Sequence, residues 1–319
     1  MRGLVGALVL ALLFVLAIRA ASPQQEPGKD LSWAFPAVVE QTLPASVDDG
    51  GLRHVPGSTR AYTLAQLEDQ FNPADWFPDD HAPMPEVVKH GRPPMVRACA
   101  ACHLASGMGH PESSDLTGLS VEYFVQQMAD IRSGARKDTT RMTDIGKATS
   151  EADAREAAEW FATLKPRPWV RVVESNTVPK SFIGNARMRF LRPEGGTEPI
   201  GNRIITVPED QARALSRDPN SGFVAYVPVG SIAKGRELAT TGGSGKTIPC
   251  AMCHGPELKG VGETPRIAGF NPIYIVRQLY NFKTGASNGP GAQLMKPSVA
   301  QLTDEDIVAL AAYVASQAP

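Results

Sequence analysis

Apolar residues recur three or four positions apart in four segments of this 319-residue chain, and this spacing places them on one face of an α-helix. Two of the segments lie in the middle of the chain and contain Tyr123, Phe124, Met128, Ala157, Ala158, Phe161 and Leu164. The other two lie near the C-terminus and contain Ile275, Leu279, Phe282, Ile307, Leu310, Ala311 and Val314. Each segment covers only a few turns, so the pattern predicts short amphipathic helices.

Residues that begin and end helices stand at the borders of these segments. The residues able to cap a helix N-terminus are Ser120, Ser150, Asn271 and Thr303. Acidic residues three positions after Ser150 and Thr303 bring both sites close to a capping box. Gly134 and Gly285 follow the first segment of each pair, and glycine commonly ends a helix. The borders therefore predict two similar pairs of helices.

Between these pairs, residues 167–230 alternate apolar and polar side chains. The alternating stretches are residues 169–173, 188–191, 203–207 and 223–227. Turn-forming Gly, Pro, Asn and Asp separate them, which is typical of short β-strands. A structureless connector of this length is uncommon in a compact protein, so we expect it to pack on one or both helical units. The fold is predicted to be mainly α, with a long connector that contains a few short strands.

The N-terminus has the three parts of an export signal. Met1 and Arg2 precede an apolar run at residues 4–18, and small residues follow at Ala20 and Ala21. We interpret residues 1–21 as a cleaved signal and expect a periplasmic protein. An uncleaved membrane anchor is the alternative, although the run is shorter than the roughly 20 residues of a comfortable membrane-spanning helix.

The net charge of −1 gives no basic surface, so nucleic acid is not an expected partner. Charge is nevertheless uneven, because eleven Asp or Glu stand against four Lys or Arg between Ser22 and His90. We call this acidic extension, residues 22–88, the leader. It either steers a basic partner or is a solvated and loosely structured segment.

Two copies of one pentapeptide carry the chemistry. Cys99-Ala-Ala-Cys102-His103 recurs as Cys250-Ala-Met-Cys253-His254, and together they use all four cysteines. This C-x-x-C-H pattern is the attachment signal for haem c, in which both thiols bind one porphyrin and the adjacent histidine binds its iron. A four-Cys zinc site or a redox dithiol is the alternative, but neither needs the histidine. The sequence therefore predicts two haem c groups, with His103 and His254 as iron ligands.

The two motifs belong to a longer internal repeat. A shift of 151 residues places Cys99 on Cys250, and the same shift superposes two tyrosines and two glutamines further along. A shift of 153 residues then places Met142 on Met295 and one C-terminal helix on the other. One duplicated unit, with a two-residue difference in a loop, accounts for these matches.

At this point the chain resembles the class I c-type cytochromes, and in particular their tandem diheme members. The resemblance covers residues 89–166 and 231–319, which are predicted to be two cytochrome c domains joined by the connector 167–230. It implies that an N-terminal helix crosses a C-terminal helix where a small residue meets an aromatic one. Gly235 and Tyr313 match that pair in the second unit, and Gly91 and Trp160 are the expected pair in the first.

The resemblance also implies the sixth iron ligands. Its pattern puts a methionine in the loop before the C-terminal helix, where Met142 and Met295 stand. The alternatives at the first haem are Met95, Met108 and His110, or a histidine in or next to the leader, namely His54, His81 or His90. In this family a proline carbonyl accepts a hydrogen bond from the ligand imidazole. Pro265 matches that proline, whereas Ser114 stands at the matching position of the first unit, so we expect the first histidine to be held differently.

The resemblance favours an electron carrier over an enzyme. A diheme carrier passes single electrons to and from redox partners such as other cytochromes, a dehydrogenase or an oxidase. The alternatives are a diheme cytochrome c peroxidase-like enzyme and a haem subunit of a dehydrogenase complex. Only 65 residues follow His254, which leaves room for one small haem unit. The length therefore argues against the peroxidase.

Overall fold

The computed structural model describes residues 30–36, 50–137, 141–184 and 187–319. Its α-helices α1 to α12 are Leu64–Glu68, Glu86–Lys89, Ala100–His103, Val121–Ser133, Met142–Ala148, Glu151–Ala162, Gln211–Leu215, Ser231–Thr241, Ala251–His254, Pro272–Thr284, Pro290–Val299 and Asp304–Ser316. Strands β1 to β7 are Val170–Glu174, Thr177–Pro179, Ser181–Ile183, Arg189–Leu191, Thr197–Pro199, Ile205–Pro208 and Phe223–Val227. The fold is mainly α, as predicted, and every strand of the described part lies in the connector.

The proposed export signal, residues 1–21, lies outside the described residues. Every helix among the described residues is too short or too polar to span a bilayer.

The predicted helix borders are confirmed. The side chains that accept backbone hydrogen bonds at the starts of α4, α6, α10 and α12 are those of Ser120, Ser150, Asn271 and Thr303. At α12 the cap is reciprocal, because the Asp306 side chain also accepts from the backbone N–H of Thr303. Gly134 and Gly285 end α4 and α10 at φ values of 79° and 75°, a left-handed conformation that glycine adopts without strain.

In the second unit, α8 crosses α12 at the predicted glycine. A Cβ on Gly235 would overlap the carbonyl oxygen of Ala309 and would lie 2.7 Å from the Cβ of Tyr313. Only glycine therefore allows the two helices to approach this closely. Helix α10 packs against both α11 and α12 and completes the unit.

The first unit is built differently at its start. Helix α4 packs on α5 and α6, and the helix directly before the motif, α2, has four residues and packs on α6. The atom nearest to a Cβ on Gly91 would be the carbonyl oxygen of Val96, so Gly91 makes its closest approach within its own loop. Trp160 donates its Nε1–H to the carbonyl of Ala82 at 3.0 Å and packs edge-on against His81. Helix α2 packs on α6, which contains Trp160, whereas Gly91 follows the end of α2, so the Gly91–Trp160 crossing stays a prediction.

The connector forms a small sheet and two strand pairs. Strand β7 lies between β1, which is parallel to it, and β6, which is antiparallel. Strands β2 and β5 form one antiparallel pair, and β3 and β4 form another. Trp169 and Phe223 of this region share a buried cluster with Leu104 and Met108, which follow the first motif. The connector therefore packs on the first unit, as expected.

The leader also packs on the body of the protein. Val55, Leu67 and Trp76 form a buried cluster. The indole N–H of Trp76 donates to the carbonyl oxygen of Ser216 in the connector at 2.7 Å. The described part of the leader is therefore ordered against its neighbours, unlike a loosely structured extension.

The two units pair through equivalent loops. Arg136 and Ser287, which are 151 residues apart, form an antiparallel β-bridge. Beside it, the backbone N–H of Asn288 donates to Ala135 at 2.7 Å, and that of Lys137 donates to Ala286 at 2.8 Å. The same loop of each copy thus meets its counterpart.

Candidate functional site

The first motif forms helix α3, and its histidine is buried. The His103 residue is only 8% exposed, and its Nδ1–H donates to the carbonyl oxygen of Ser114 at 2.8 Å. Because a carbonyl only accepts, Nδ1 carries the proton and Nε2 keeps the lone pair that binds a metal. Burial lowers the pKa of His103, and the Ser114 carbonyl opposes this shift. The imidazole is therefore neutral at pH 7, which is the metal-binding form.

The cysteines of the first motif are separate, partly buried thiols. Burial raises the pKa of Cys99 to about 12 and also raises the pKa of Cys102. Both thiols are therefore protonated at neutral pH. All four cysteines are free, and no three His, Cys, Asp or Glu side chains of the described residues are grouped to hold a metal ion. The four-Cys zinc alternative therefore has no formed site in this part of the chain.

A cavity of about 570 Å³ brings the candidate residues of the first motif together. Cys99, Cys102, His103 and Met142 all line it. Its apolar lining includes Leu116, Leu119, Phe124, Met128, Ile131 and Ile145. The volume lies within the range of roughly 300–1,000 Å³ that is usual for cofactor sites. A largely apolar cavity with two thiols and a neutral imidazole fits a covalently attached haem.

Arginines outnumber acidic residues in the lining of the same cavity, where the acidic residues are Glu68, Glu112 and Asp153. Five arginines line it, namely Arg97, Arg136, Arg141, Arg187 and Arg217. Haem carries two carboxylates, and guanidinium groups are suited to pair with them. Arg217 comes from the connector, where it donates to the carbonyl oxygen of Ala101 inside the motif. Sequence reasoning missed this residue, since nothing local to Arg217 indicates a contact 116 residues away.

The candidates for the sixth ligand of the first haem differ in whether they line the cavity. Met95 is 62% exposed and does not line the cavity. Met108 is buried in the connector cluster, 4.0 Å from the hydroxyl of Thr117. His110 does line the cavity, and burial lowers its pKa to about 3. Met142 and His110 are therefore the two candidates that the cavity contains.

The histidines in or next to the leader are held elsewhere. His81 bonds to the carbonyl of Ala82 and to the carboxylate of Asp75, and His90 bonds to the carbonyl of Phe71. These two histidines and His54 are absent from the cavity lining, although Leu67, Glu68 and Gln70 of the leader contribute to it.

The second motif forms helix α9 and repeats the histidine geometry. His254 is 8% exposed, and its Nδ1–H donates to the carbonyl oxygen of Pro265 at 2.9 Å. Burial lowers the pKa of His254 and raises the pKa of Cys250 to about 11. The edge of this motif is open, because Cys253 is exposed and Met252 is 74% exposed.

Two expectations about these sites were wrong. Ser114 holds the first histidine in the same way as Pro265 holds the second, because the acceptor is a backbone carbonyl that any residue supplies. Met142 and Met295 do not lie in loops. Met142 is the first residue of α5, and Met295 lies within α11, where it is partly buried.

Comparison with known proteins points to one family. The family described as Cytochrome c matches residues 232–318. The thiosulfate dehydrogenase electron acceptor of Thiomonas intermedia is 28% identical over 230 residues, which cover 70% of this chain and 81% of that protein. Cytochrome c-554(547) of Halothiobacillus neapolitanus is 34% identical over 84 residues, which cover 23% of this chain and 92% of that protein.

A solved structure, that of reduced recombinant cytochrome c4 from Pseudomonas stutzeri, is 20% identical with a TM-score of 0.46, and the match covers 69% of this chain and 93% of that one. The sequence relatives, together with the two complete motifs and their buried histidines, give the assignment. The chain belongs to the class I c-type cytochromes, the cytochrome c family.

Proposed function

We propose that this c-type cytochrome is a periplasmic diheme electron carrier that binds two haem c groups covalently. Each haem, when bound, would supply an iron that takes up or releases one electron. Export fits this function, because haem c is attached on the outer side of the bacterial inner membrane.

One observation carries the proposal. In each motif, the histidine donates its Nδ1–H to a backbone carbonyl 11 residues further along, at 2.8 Å in the first motif and 2.9 Å in the second. A metal-binding histidine normally donates its second ring nitrogen in this way, which fixes the ring and raises its basicity. The repetition of this geometry in both units supports two equivalent haem sites.

The chain's own residues have distinct roles in this proposal. The thiols that attach the haems are those of Cys99, Cys102, Cys250 and Cys253. The four iron ligands are His103, Met142, His254 and Met295. The apolar side chains of the cavity around the first motif would exclude water from the haem, and the arginines that line it would pair with the haem carboxylates. Methionine sulfur is a soft ligand that favours the ferrous state and raises the potential. The sites are therefore suited to rapid electron exchange with little structural change.

The name of one relative supports a specific partner class. The Thiomonas intermedia relative is a thiosulfate dehydrogenase electron acceptor. A dehydrogenase is therefore the partner class that we propose as electron donor, and a stable subunit of such a complex remains the related alternative. With methionine at both irons, neither site offers an open position to peroxide, so a peroxidase activity is not proposed.

Haem content and ligand spectra test the proposal together. The purified exported protein should give two haems per chain in the haemochrome assay and should keep its colour through acid–acetone extraction. Its oxidised form should show the weak near-infrared band of methionine–iron ligation. Mixing with hydrogen peroxide should cause only slow oxidation or bleaching. One haem per chain, or rapid and saturable peroxide consumption, contradicts the proposal.

A further inference from the structure

A buried ion pair joins the two units near their haem motifs. The carboxylate of Asp115 lies 2.6 Å from Nη2 of Arg266, and each side chain is only 5% exposed. Asp115 also accepts from the backbone N–H of Thr117 at 2.8 Å and from its hydroxyl at 2.7 Å. Arg266 donates to the carbonyl of Ala268 and lies over the ring of Phe270. Both charged groups are therefore held by several partners, although the buried Nε of Arg266 has no hydrogen-bond partner.

The pair connects the backbone groups that hold the two motif histidines. Ser114 supplies the carbonyl acceptor in the first unit, and Asp115 is the next residue. Pro265 supplies the acceptor in the second unit, and Arg266 is the next residue. Each acceptor carbonyl therefore belongs to the peptide bond that leads directly into a member of the pair. A shift of either side chain moves the peptide group that orients one of the histidines.

The two members occupy equivalent positions of the repeat. They are 151 residues apart, the same shift that superposes the two motifs. Identical charged residues at these positions would meet as like charges, whereas this chain has a negative group in one copy and a positive group in the other. Ser114, whose carbonyl accepts from the imidazole of His103, is the residue directly before Asp115. The carboxylate therefore belongs to the surroundings of the first imidazole.

We propose that the Asp115–Arg266 pair positions both acceptor carbonyls and shifts the potentials of the two haems in opposite directions. A nearby negative charge stabilises the ferric state, so Asp115 lowers the potential of the first haem. Arg266 raises the potential of the second haem for the opposite reason. This inference rests on the proposed function, because it requires a haem at each motif.

Exchanging the two charges separates this role from simple support of the fold. The double variant Asp115→Arg with Arg266→Asp keeps the pair and the net charge but reverses its direction. The first potential should rise and the second should fall. The two are read separately from their haem methyl NMR signals during a redox titration, with Met142→Ala used to assign the first set. If both potentials stay unchanged or move in the same direction, the inference is wrong.

A neutral pair and a surface control complete the test. Asp115→Asn with Arg266→Gln should give smaller changes of the same signs, and it provides the answer if the exchanged variant does not fold. The exposed pair of Arg155 and Glu122, 2.7 Å apart, gives a matched control. Exchanging those two charges should leave both potentials unchanged, because solvent screens exposed charges.

Positioning is tested by a substitution that keeps the charge. Arg266→Lys retains the positive group but loses the guanidinium that bonds Asp115 and Ala268 together. The potentials should stay near their original values, while the Nδ1 proton of His103, in the other unit, should exchange faster with solvent. Unchanged exchange contradicts the positioning role. A haem count other than two in the unaltered protein would contradict the proposed function, whereas two haems with unmoved potentials contradict only this inference.

Discussion

Replacing Gly235 by alanine tests the packing on which the second unit depends. A Cβ at this position in α8 would overlap the carbonyl oxygen of Ala309 and would lie 2.7 Å from the Cβ of Tyr313 in α12. A backbone oxygen and a Cβ have no side-chain rotation by which to move aside. The two helices must therefore separate, and their interface loses close packing along its length.

Two effects of known size oppose each other in this variant. Alanine in place of glycine within a helix stabilises it by about 0.8–1 kcal/mol. Overpacking a close interface costs about 1–3 kcal/mol, and occasionally more. Since the obstacle is backbone, the cost belongs in the upper part of that range. We expect the free energy of unfolding to fall by about 1–2 kcal/mol in Gly235→Ala.

Two other glycines in helices provide matched controls. A Cβ on Gly291 in α11 would meet nothing within 4 Å, so Gly291→Ala should be neutral or stabilising by up to about 1 kcal/mol. A Cβ on Gly146 in α5 would lie 2.6 Å from Cγ2 of Ile131, a side-chain atom that can rotate, so an intermediate result is expected. Urea unfolding followed by circular dichroism gives the three free energies. A Gly235→Ala variant as stable as Gly291→Ala would refute the reasoning.

Three further predictions concern the haem sites. Met142→Ala and Met295→Ala should each remove about half of the near-infrared band and lower one potential; an unchanged spectrum for Met142→Ala would favour His110 as ligand. Burial lowers the pKa of His110 to about 3, so the unfolded chain binds a proton below about pH 6.5 that the folded chain does not. The free energy of unfolding should therefore fall by about 2 kcal/mol between pH 7 and pH 5, and this fall should be absent from His110→Asn. If acid destabilises the variant and the unaltered protein equally, the prediction is wrong. Met252 is 74% exposed between two attachment cysteines and should contribute apolar contact during electron exchange. Met252→Glu should therefore slow exchange with a small cytochrome, whereas the control Leu52→Glu, at a site that is 59% exposed, should not. Equal rates for the two variants would contradict this prediction.

The helices and their borders could be predicted because their signals are local. Ser120 and Thr303 cap helices through hydrogen bonds to residues within one turn, and Gly235 packs where the family pattern places it. The motif spacing likewise fixes the place of His103 and His254, since each follows its cysteine on a single helical turn. Such signals are complete within a few residues of sequence.

Long-range pairing could not be predicted in the same way. Asp115 and Arg266 have no local feature that indicates a partner 151 residues away, and a buried charge reads in sequence as an ordinary surface residue. The acceptor role of Ser114 was missed for another reason. The hydrogen bond goes to its backbone carbonyl, so the identity of the side chain carries no information about it.

The acidic leader shows how segments outside the repeat make the two sites different. Its composition predicted a solvated or steering extension, but Leu67 lines the first cavity and Trp76 bonds to the connector. The consequence appears at equivalent positions of the two motifs. Ala101 is 2% exposed, whereas Met252, 151 residues later, is 74% exposed. The repeated units alone would present both motifs alike, so the leader and the connector, which are not repeated, are what cover the first motif and leave the edge of the second open.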